Sequence, residues 1–295
     1  MYDHILVPTD GSDHAARAVD HGVLLAEAFD ATVHLLTVVD IEAAAGPFSA
    51  GGVDQSYVED RTESEREALA SLEADLTDVP VETAVTTGKP SEGILDYVGD
   101  EAVDLIVMGT HGRSGLRRYL TGSVAERVVR LSPVPVVTVR ASDESAVEGG
   151  YDDVLVPTDG SDRSEAAVAH ALAVAEAFDS TLHAVSVVNV GDIAAGAEAA
   201  VPSELLDELR EASTDAVESV AAQASAAGVD SVTAVSTGRP KHDLLEYVGD
   251  NDIDLVCMGT HGRTGLDRVL LGSTAEALVR QVDVPVLTVS ADQAD

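Results

Sequence analysis

The chain has 295 residues, enough for two domains of ordinary size, and its apolar core must be built from Val, Leu, Ile and Ala because aromatic residues make up only 3% and tryptophan is absent. A formal net charge of −36 disfavours binding to nucleic acid or acidic membranes, and a single cysteine excludes a disulfide framework. Since neither a membrane-spanning apolar run nor a signal-peptide pattern occurs, we expect a cytoplasmic protein.

Hydrophobic periodicity predicts alternating strands and helices along the first half of the chain. In chain order these are a strand at 5–7, a helix at 15–29, a strand at 33–39, a charged helix at 57–76, a strand at 81–85, a short helix opened by Pro90, a strand at 103–108, a helix at 123–131 and a strand at 134–139. This alternation predicts an α/β fold whose parallel, doubly wound, five-stranded sheet has the order 3-2-1-4-5. Ligands of such sheets bind outside the carboxyl ends of the strands where the winding reverses, here between strands 1 and 4.

The second half of the chain repeats the first. Residues 103–139 align with residues 253–289 without a gap, and 23 of the 37 positions are identical. Residues 7–13 likewise return at 156–162. The polar stretch 141–150 predicts a linker, so we expect two tandem domains, at 1–140 and 151–291, each with its own sheet.

A glycine-rich segment follows the fourth strand of each copy. The first runs Gly109-x2-Gly112-x9-Gly122-Ser123, and the second runs Gly259-x2-Gly262-x9-Gly272-Ser273. Glycines let a backbone approach a ligand closely, and a helix that starts there offers unpaired N–H groups to an anion. The pattern favours a phosphate site; a plain turn, with Ser123 only an N-cap, is the structural alternative.

These segments are positively charged within an acidic chain. Residues 109–130 hold five arginines against one acid, and residues 259–280 hold three arginines against two acids. Phosphate neutralisation explains such an excess. For Arg127, Arg130 and Arg280, which lie inside predicted helices, we favour the alternative that they pair with surface acids.

Asp10 and Asp159 follow the first strand of each copy, at the same edge of the predicted sheet. A carboxylate there is suited to hold Mg²⁺ that bridges phosphates, while a helix-capping role is the alternative. The neighbouring Pro8 and Pro157 are expected to flank the base or the ribose.

These motifs resemble the universal stress protein family over nearly all of both copies. The nucleotide-binding signature of that family, G-x2-G-x9-G-[ST], occurs twice in full. The resemblance implies a Rossmann-like fold, similar to that of the adenine nucleotide alpha hydrolases, that binds ATP, or AMP or ADP. It implies adenine contacts at Val38 and Val187 and phosphate contacts at the loop glycines. The expected nucleotide-binding residues are Pro8, Thr9, Asp10, Val38, Met108, Gly109, His111, Gly112, Arg113, Gly122, Ser123 and Val124, and in the second copy Pro157, Thr158, Asp159, Val187, Met258, Gly259, His261, Gly262, Arg263, Gly272, Ser273 and Thr274.

Three differences between the copies bear on the predicted phosphate site. Thr274 replaces Val124, Leu271 replaces Thr121, and Asp267 replaces Arg117. We therefore expect the second site to bind triphosphate more weakly.

The family also pairs its domains through the last strand of the sheet. The resemblance therefore implies an internal pseudo-dimer through 134–139 and 284–289, with association of two chains left open. An apolar edge strand needs some such partner. The segments 41–56 and 190–202 differ most between the copies, and are interpreted either as partner or lid surfaces or as solvated loops.

The predicted pocket favours binding over catalysis. The P-loop, the dinucleotide-binding glycine pattern and the serine nucleophile elbow are all absent from the sequence. His111 and His261 have no evident carboxylate partner, so a packing or hydrogen-bonding role is the simpler interpretation. We expect a nucleotide-responsive stress or regulatory module; an ATPase or nucleotidyl transferase is the main alternative, and a scaffold with empty sites is a third.

The acidic surface has its own prediction. The chain has 53 acidic residues against 17 basic ones, and only Lys89 and Lys241 are lysines. We interpret this as adaptation to a salt-rich cytoplasm, because salt at about 1 M shortens the Debye length to roughly 3 Å and relieves self-repulsion. An acidic mesophilic protein is the alternative, but it leaves the scarcity of lysine unexplained. Raising KCl from about 0.01 M to about 1 M should increase the melting temperature by several degrees, since about 1 kcal/mol shifts the Tm of such a domain by roughly 4 °C. A Tm that does not change with the KCl concentration would contradict this interpretation.

Overall fold

The protein forms two compact units, Met1–Ala141 and Ser142–Asp295. A computed structural model describes residues 1–41, 55–111, 122–142, 145–147, 149–189, 203–260 and 271–290. None of the helices in these ranges is long and apolar enough to cross a membrane.

The first unit alternates strands and helices as predicted. Its elements are β1 (His4–Pro8), α1 (Asp13–Phe29), β2 (Thr32–Val39), α2 (Gln55–Asp75), β3 (Val81–Thr87), α3 (Pro90–Asp100), β4 (Leu105–Gly109), α4 (Ser123–Leu131) and β5 (Val136–Val139). The strand order is β3-β2-β1-β4-β5, and these neighbours pair in parallel. The predicted α/β fold and the order 3-2-1-4-5 are therefore confirmed.

The second unit has the same architecture. Its elements are β6 (Asp153–Pro157), α5 (Asp162–Phe178), β7 (Thr181–Asn189), α6 (Ser203–Ala227), β8 (Ser231–Gly238), α7 (Pro240–Asp250), β9 (Leu255–Gly259), α8 (Ser273–Gln281) and β10 (Val286–Val289). The strands lie in the order β8-β7-β6-β9-β10, again with parallel pairs. The duplicated sequence thus folds twice into one kind of sheet.

Two strands begin two residues later than predicted, each for a local reason. Before β4, Ala102 has a φ of 49°, and the Asp104 carboxylate accepts the N–H groups of Asp3 and His4 at 2.8 and 2.9 Å. Asp104 therefore secures the strand start with its side chain. Before β5, Pro135 lacks an N–H to donate, although its carbonyl accepts the Ile106 N–H at 3.0 Å.

Small residues let α1 lie close to the sheet. A Cβ added at Gly22 of α1 would lie 2.5 Å from Val7 Cγ2 of β1, and one at Gly109, the last residue of β4, would lie 2.8 Å from the His14 carbonyl carbon. Ser12 caps α1 by accepting the Ala15 N–H, which fixes where the helix begins. The start of α1 is thereby held against the carboxyl ends of β1 and β4.

Replacing Gly109 by alanine should destabilise the first unit by about 1–3 kcal/mol, because the new methyl group would press on the α1 backbone. Gly99→Ala is the matched control, since nothing lies within 4 Å of a Cβ there. The control should be neutral or slightly stabilising. Thermal unfolding of both variants measures the difference, and equal Tm values would disprove the close contact.

Burial of histidines should make the fold sensitive to acid. Burial lowers the pKa of His170, on α5, to about 4, and burial also lowers the pKa of His34, on β2. Because an unfolded histidine has a pKa of about 6.5, this stability is complete above that pH and is lost as the pH falls towards 4. His170→Gln should remove about 1–3 kcal/mol of the acid-induced loss. Urea unfolding between these pH values tests this, and parallel profiles would contradict it.

Candidate functional site

The start of α4 is tied to the end of β4. The Gly122 N–H donates to the Thr110 carbonyl at 2.6 Å, and the Thr110 N–H donates to the Val139 carbonyl at 2.8 Å. In the second unit, the Gly272 N–H donates to the Thr260 carbonyl at 2.8 Å. The two ends of each glycine-rich signature therefore meet at the carboxyl edge of the sheet.

Glycine, not serine, caps α4 and α8. Gly122 and Gly272 are the N-caps, with nearly identical extended backbone angles and no side-chain capping bond, while Ser123 and Ser273 are the first helical residues. The N-cap alternative for Ser123 is therefore wrong. A Cβ at Gly122 would lie 3.0 Å from the Thr110 oxygen, so the close turn favours glycine. A helix start without a side-chain cap directs its first N–H groups towards an external acceptor, which suits an anion.

Asp10 and Asp159 lie just beyond β1 and β6, at the same edge. The Ser12 N–H donates to Asp10 Oδ1 at 3.1 Å. In the second unit, Ser161 donates to Asp159 Oδ1 through its N–H at 3.1 Å and its hydroxyl at 2.6 Å. The helix caps are Ser12 and Ser161, so the capping alternative for the two aspartates is wrong. Half-buried carboxylates are ligands that Mg²⁺ accepts.

Thr9 and Thr158, the residues just before these aspartates, are bonded to the neighbouring strands β2 and β7. The Thr9 N–H donates to the Leu36 carbonyl at 2.8 Å, and the Thr37 hydroxyl donates to the Thr9 carbonyl at 3.1 Å. In the second unit, the Thr158 N–H donates to the Val185 carbonyl at 2.9 Å. Pro8 and Pro157 are half-buried at the strand ends. These bonds fix the backbone just beyond β1 and β6 against the neighbouring strand, at the carboxyl edge of each sheet.

The hydrophobic residues of the predicted site differ in accessibility. Val38 and Val187, near the ends of β2 and β7, are half-buried, as are Val124 and Thr274 in the first turns of α4 and α8. Met108 and Met258 are only 4% and 5% exposed, so their side chains belong mainly to the core. Ser123 and Ser273 are exposed.

A pair of histidines lies beside the first glycine-rich segment. The His14 and His111 rings are 5.0 Å apart, and His111 Nδ1 lies 3.1 Å from the Thr110 hydroxyl. The Ala141 N–H donates to His14 Nδ1 at 3.0 Å. Burial, followed by the charges of His111 and Arg140, lowers the pKa of His14.

Sequence reasoning missed His14. His14 belongs to no motif that both copies share, because the second copy has Arg163 at the corresponding position. The one feature of the sequence that points to this position is that both copies have a basic residue, His14 or Arg163, in the first turn of their first helix.

Two of the helical arginines pair with acids, as the alternative interpretation predicts. Arg127 lies 3.2 Å from Glu92, and Arg280 lies 2.7 Å from Glu276. Arg130 is different, because its Nε is buried and has no hydrogen-bond partner in the described part of the chain.

Several predicted site residues lie outside the described residues. They are Gly112, Arg113, His261, Gly262 and Arg263, together with Arg117, Thr121 and Asp267 of the loop comparison. Residues 42–54 of the first candidate lid segment and all of 190–202 lie outside as well.

Comparison with known proteins agrees with this architecture. The universal stress protein family matches residues 1–140 and 150–290. A universal stress protein of Methanocaldococcus jannaschii is 38% identical over 142 residues, which cover 48% of this chain and 83% of the relative. One of Mycolicibacterium smegmatis is 28% identical over 299 residues and matches 97% of this chain and 96% of its own length.

A solved structure supports the fold alone. The universal stress protein of Archaeoglobus fulgidus superposes with a TM-score of 0.72 at 21% identity, covering 98% of this chain and 96% of the other. The matched residues, the repeated sheet order and the doubled signature lead to one conclusion: this chain belongs to the universal stress protein family and carries two of its domains in tandem.

Proposed function

We propose that each domain binds an adenine nucleotide, with Mg²⁺, and that the protein is a nucleotide-responsive stress or regulatory module. The observation that carries this proposal is the hydrogen bond between the Gly122 N–H and the Thr110 carbonyl, with its counterpart at Gly272 and Thr260. That bond holds the amide-rich start of a helix at the sheet edge where Asp10 and Asp159 also lie.

The proposed contacts follow from these positions. The first-turn N–H groups of α4 and α8, the Ser123 and Ser273 hydroxyls and the loop glycines bind the phosphates, since unpaired amides at a helix start attract anions. Asp10 and Asp159 hold Mg²⁺, whose charge offsets that of the phosphates. The ends of β2 and β7, at Val38 and Val187, contact the adenine.

The two sites should differ in affinity. The second glycine-rich segment has Asp267 where the first has Arg117, so its net charge is less favourable to a triphosphate. The second site is therefore the weaker one, and equal affinities in single-site variants would contradict this. The pairing of the domains through their final strands, and any association of two chains, stay predictions.

Asp10→Asn is the sharpest test of the metal role. Asparagine keeps an oxygen that accepts the Ser12 N–H, so the turn and the Tm of the protein without nucleotide should stay unchanged. Loss of the carboxylate charge should weaken Mg-ATP binding at the first site by at least about 10-fold, or 1.4 kcal/mol. ATP binding in EDTA should be unaffected. Calorimetric titration in molar KCl, with Asp159→Asn as the matched variant for the second site, measures both affinities.

The same variants separate the alternatives. An ATPase would hydrolyse ATP in a single-turnover assay in molar KCl and lose that activity in Asp10→Ala. The binding module retains the nucleotide intact, which mass spectrometry of the purified protein detects. A scaffold with empty sites shows no change in Tm with ATP, since only binding to the native state raises it.

A further inference from the structure

A second cluster of possible ligands lies on α7, away from the glycine-rich segment in sequence and confined to the second domain. His242 Nδ1 lies 3.3 Å from Glu246 Oε2 and 3.7 Å from Asp243 Oδ1. The three ligand atoms all lie within 4.8 Å of one another. One nitrogen and two oxygens thus converge at the start of a single helix.

We propose that His242, Asp243 and Glu246 form a site for a divalent first-row transition ion of the Zn²⁺ type. Zn²⁺ binds imidazole nitrogen and carboxylate oxygen at about 2.0–2.2 Å, which places two donors of one ion roughly 3.3–3.5 Å apart. The His242–Glu246 and His242–Asp243 separations are close to that value. The imidazole selects against Mg²⁺ and Ca²⁺, which take oxygen ligands.

The carboxylate of Asp243, the middle residue of the three, is positioned by contacts with the residues that precede α7. The Arg239 N–H donates to Asp243 Oδ1 at 3.4 Å, and the Ser236 hydroxyl lies 3.5 Å from Asp243 Oδ2. A Cβ on Gly238 would overlap the Asp243 carboxylate, so the absence of a side chain at Gly238 leaves room for the carboxylate in this position. The Asp243 side chain is 28% exposed, against 66% for His242 and 65% for Glu246. Asp243 is therefore a positioned ligand, and the two exposed side chains close around the ion from the solvent side.

The first domain has lost, or never had, this arrangement. Its corresponding positions are Glu92, Gly93 and Asp96. Glu92 pairs with Arg127 of α4, whereas the second domain has Ala277 at the position of that arginine. A Cβ at Gly93 would lie 3.0 Å from Val38 Cγ1, so a central carboxylate does not fit there without a shift. The two copies thus differ both on the helix that carries Glu92 or His242 and on the helix that carries Arg127 or Ala277. Of the two, only the second copy places an imidazole beside two carboxylates at this position.

Titration calorimetry of the full chain with Zn²⁺, in molar KCl to screen the acidic surface, tests the proposal. One ion should bind the wild-type chain at this site. His242→Gln and Glu246→Gln should each weaken that binding at least about 10-fold, the lower limit for loss of a supporting partner. Glu92→Gln is the matched control, at the position in the first domain that corresponds to His242, and it should bind as the wild type does.

Other outcomes are equally informative. Because both substituted side chains are exposed, unchanged Tm values should show that the variants fold. An affinity that survives His242→Gln would overturn the proposal, as would a titration showing only many weak sites. Displacement of Zn²⁺ by equimolar Mg²⁺ would also overturn it, since that is the behaviour of an all-oxygen surface cluster. None of these outcomes depends on nucleotide binding, so the test is independent of the function proposed above.

Discussion

One backbone hydrogen bond organises the candidate site in each domain. The N–H of the glycine that caps the fourth helix donates to the carbonyl of the threonine after the fourth strand, at 2.6 Å in the first domain and 2.8 Å in the second. The close turn leaves almost no room for a Cβ at Gly122 and brings the helix start to the edge where the strands end. A side-chain cap would occupy the N–H groups that an anion needs. The glycine therefore serves both the geometry of the turn and its chemistry.

Duplication kept this framework and changed the side chains around it. His14 in the first domain corresponds to Arg163 in the second, and Arg127 corresponds to Ala277. The arginine in the first domain neutralises Glu92 across two helices. In the second domain, α7 is the counterpart of the helix that carries Glu92. It has a histidine, His242, at the position of Glu92 and an additional aspartate, Asp243, beside it. Two equivalent sheets therefore present different surfaces, and the asymmetry lies in the helices, since the strand order is preserved.

The sequence predicts most of the fold because alternation of buried strands and amphipathic helices is a local pattern. It misplaces the starts of β4 and β5, because a side-chain bond from Asp104 and the missing N–H of Pro135 decide where pairing begins. The sequence also leaves the N-cap residues undecided, since serine is the commoner N-cap while the close approach of Thr110 favours glycine. His14 and the cluster on α7 belong to no repeated motif, because each occurs in one copy only. Their roles depend on which side chains the fold brings together.

The net negative charge of the protein helps to explain why backbone N–H groups are suited to bind phosphate at the proposed site. At −36 the protein repels a polyphosphate at long range, and a site made only of arginines would lose its attraction as salt screens both partners. Hydrogen bonds from fixed N–H groups act at contact distance, where salt screens the interaction less than it screens separated, exposed charges. Salt that removes the general repulsion therefore leaves them largely intact. A cradle of backbone amides is thus compatible with an acidic surface in a way that a cluster of exposed cations is not.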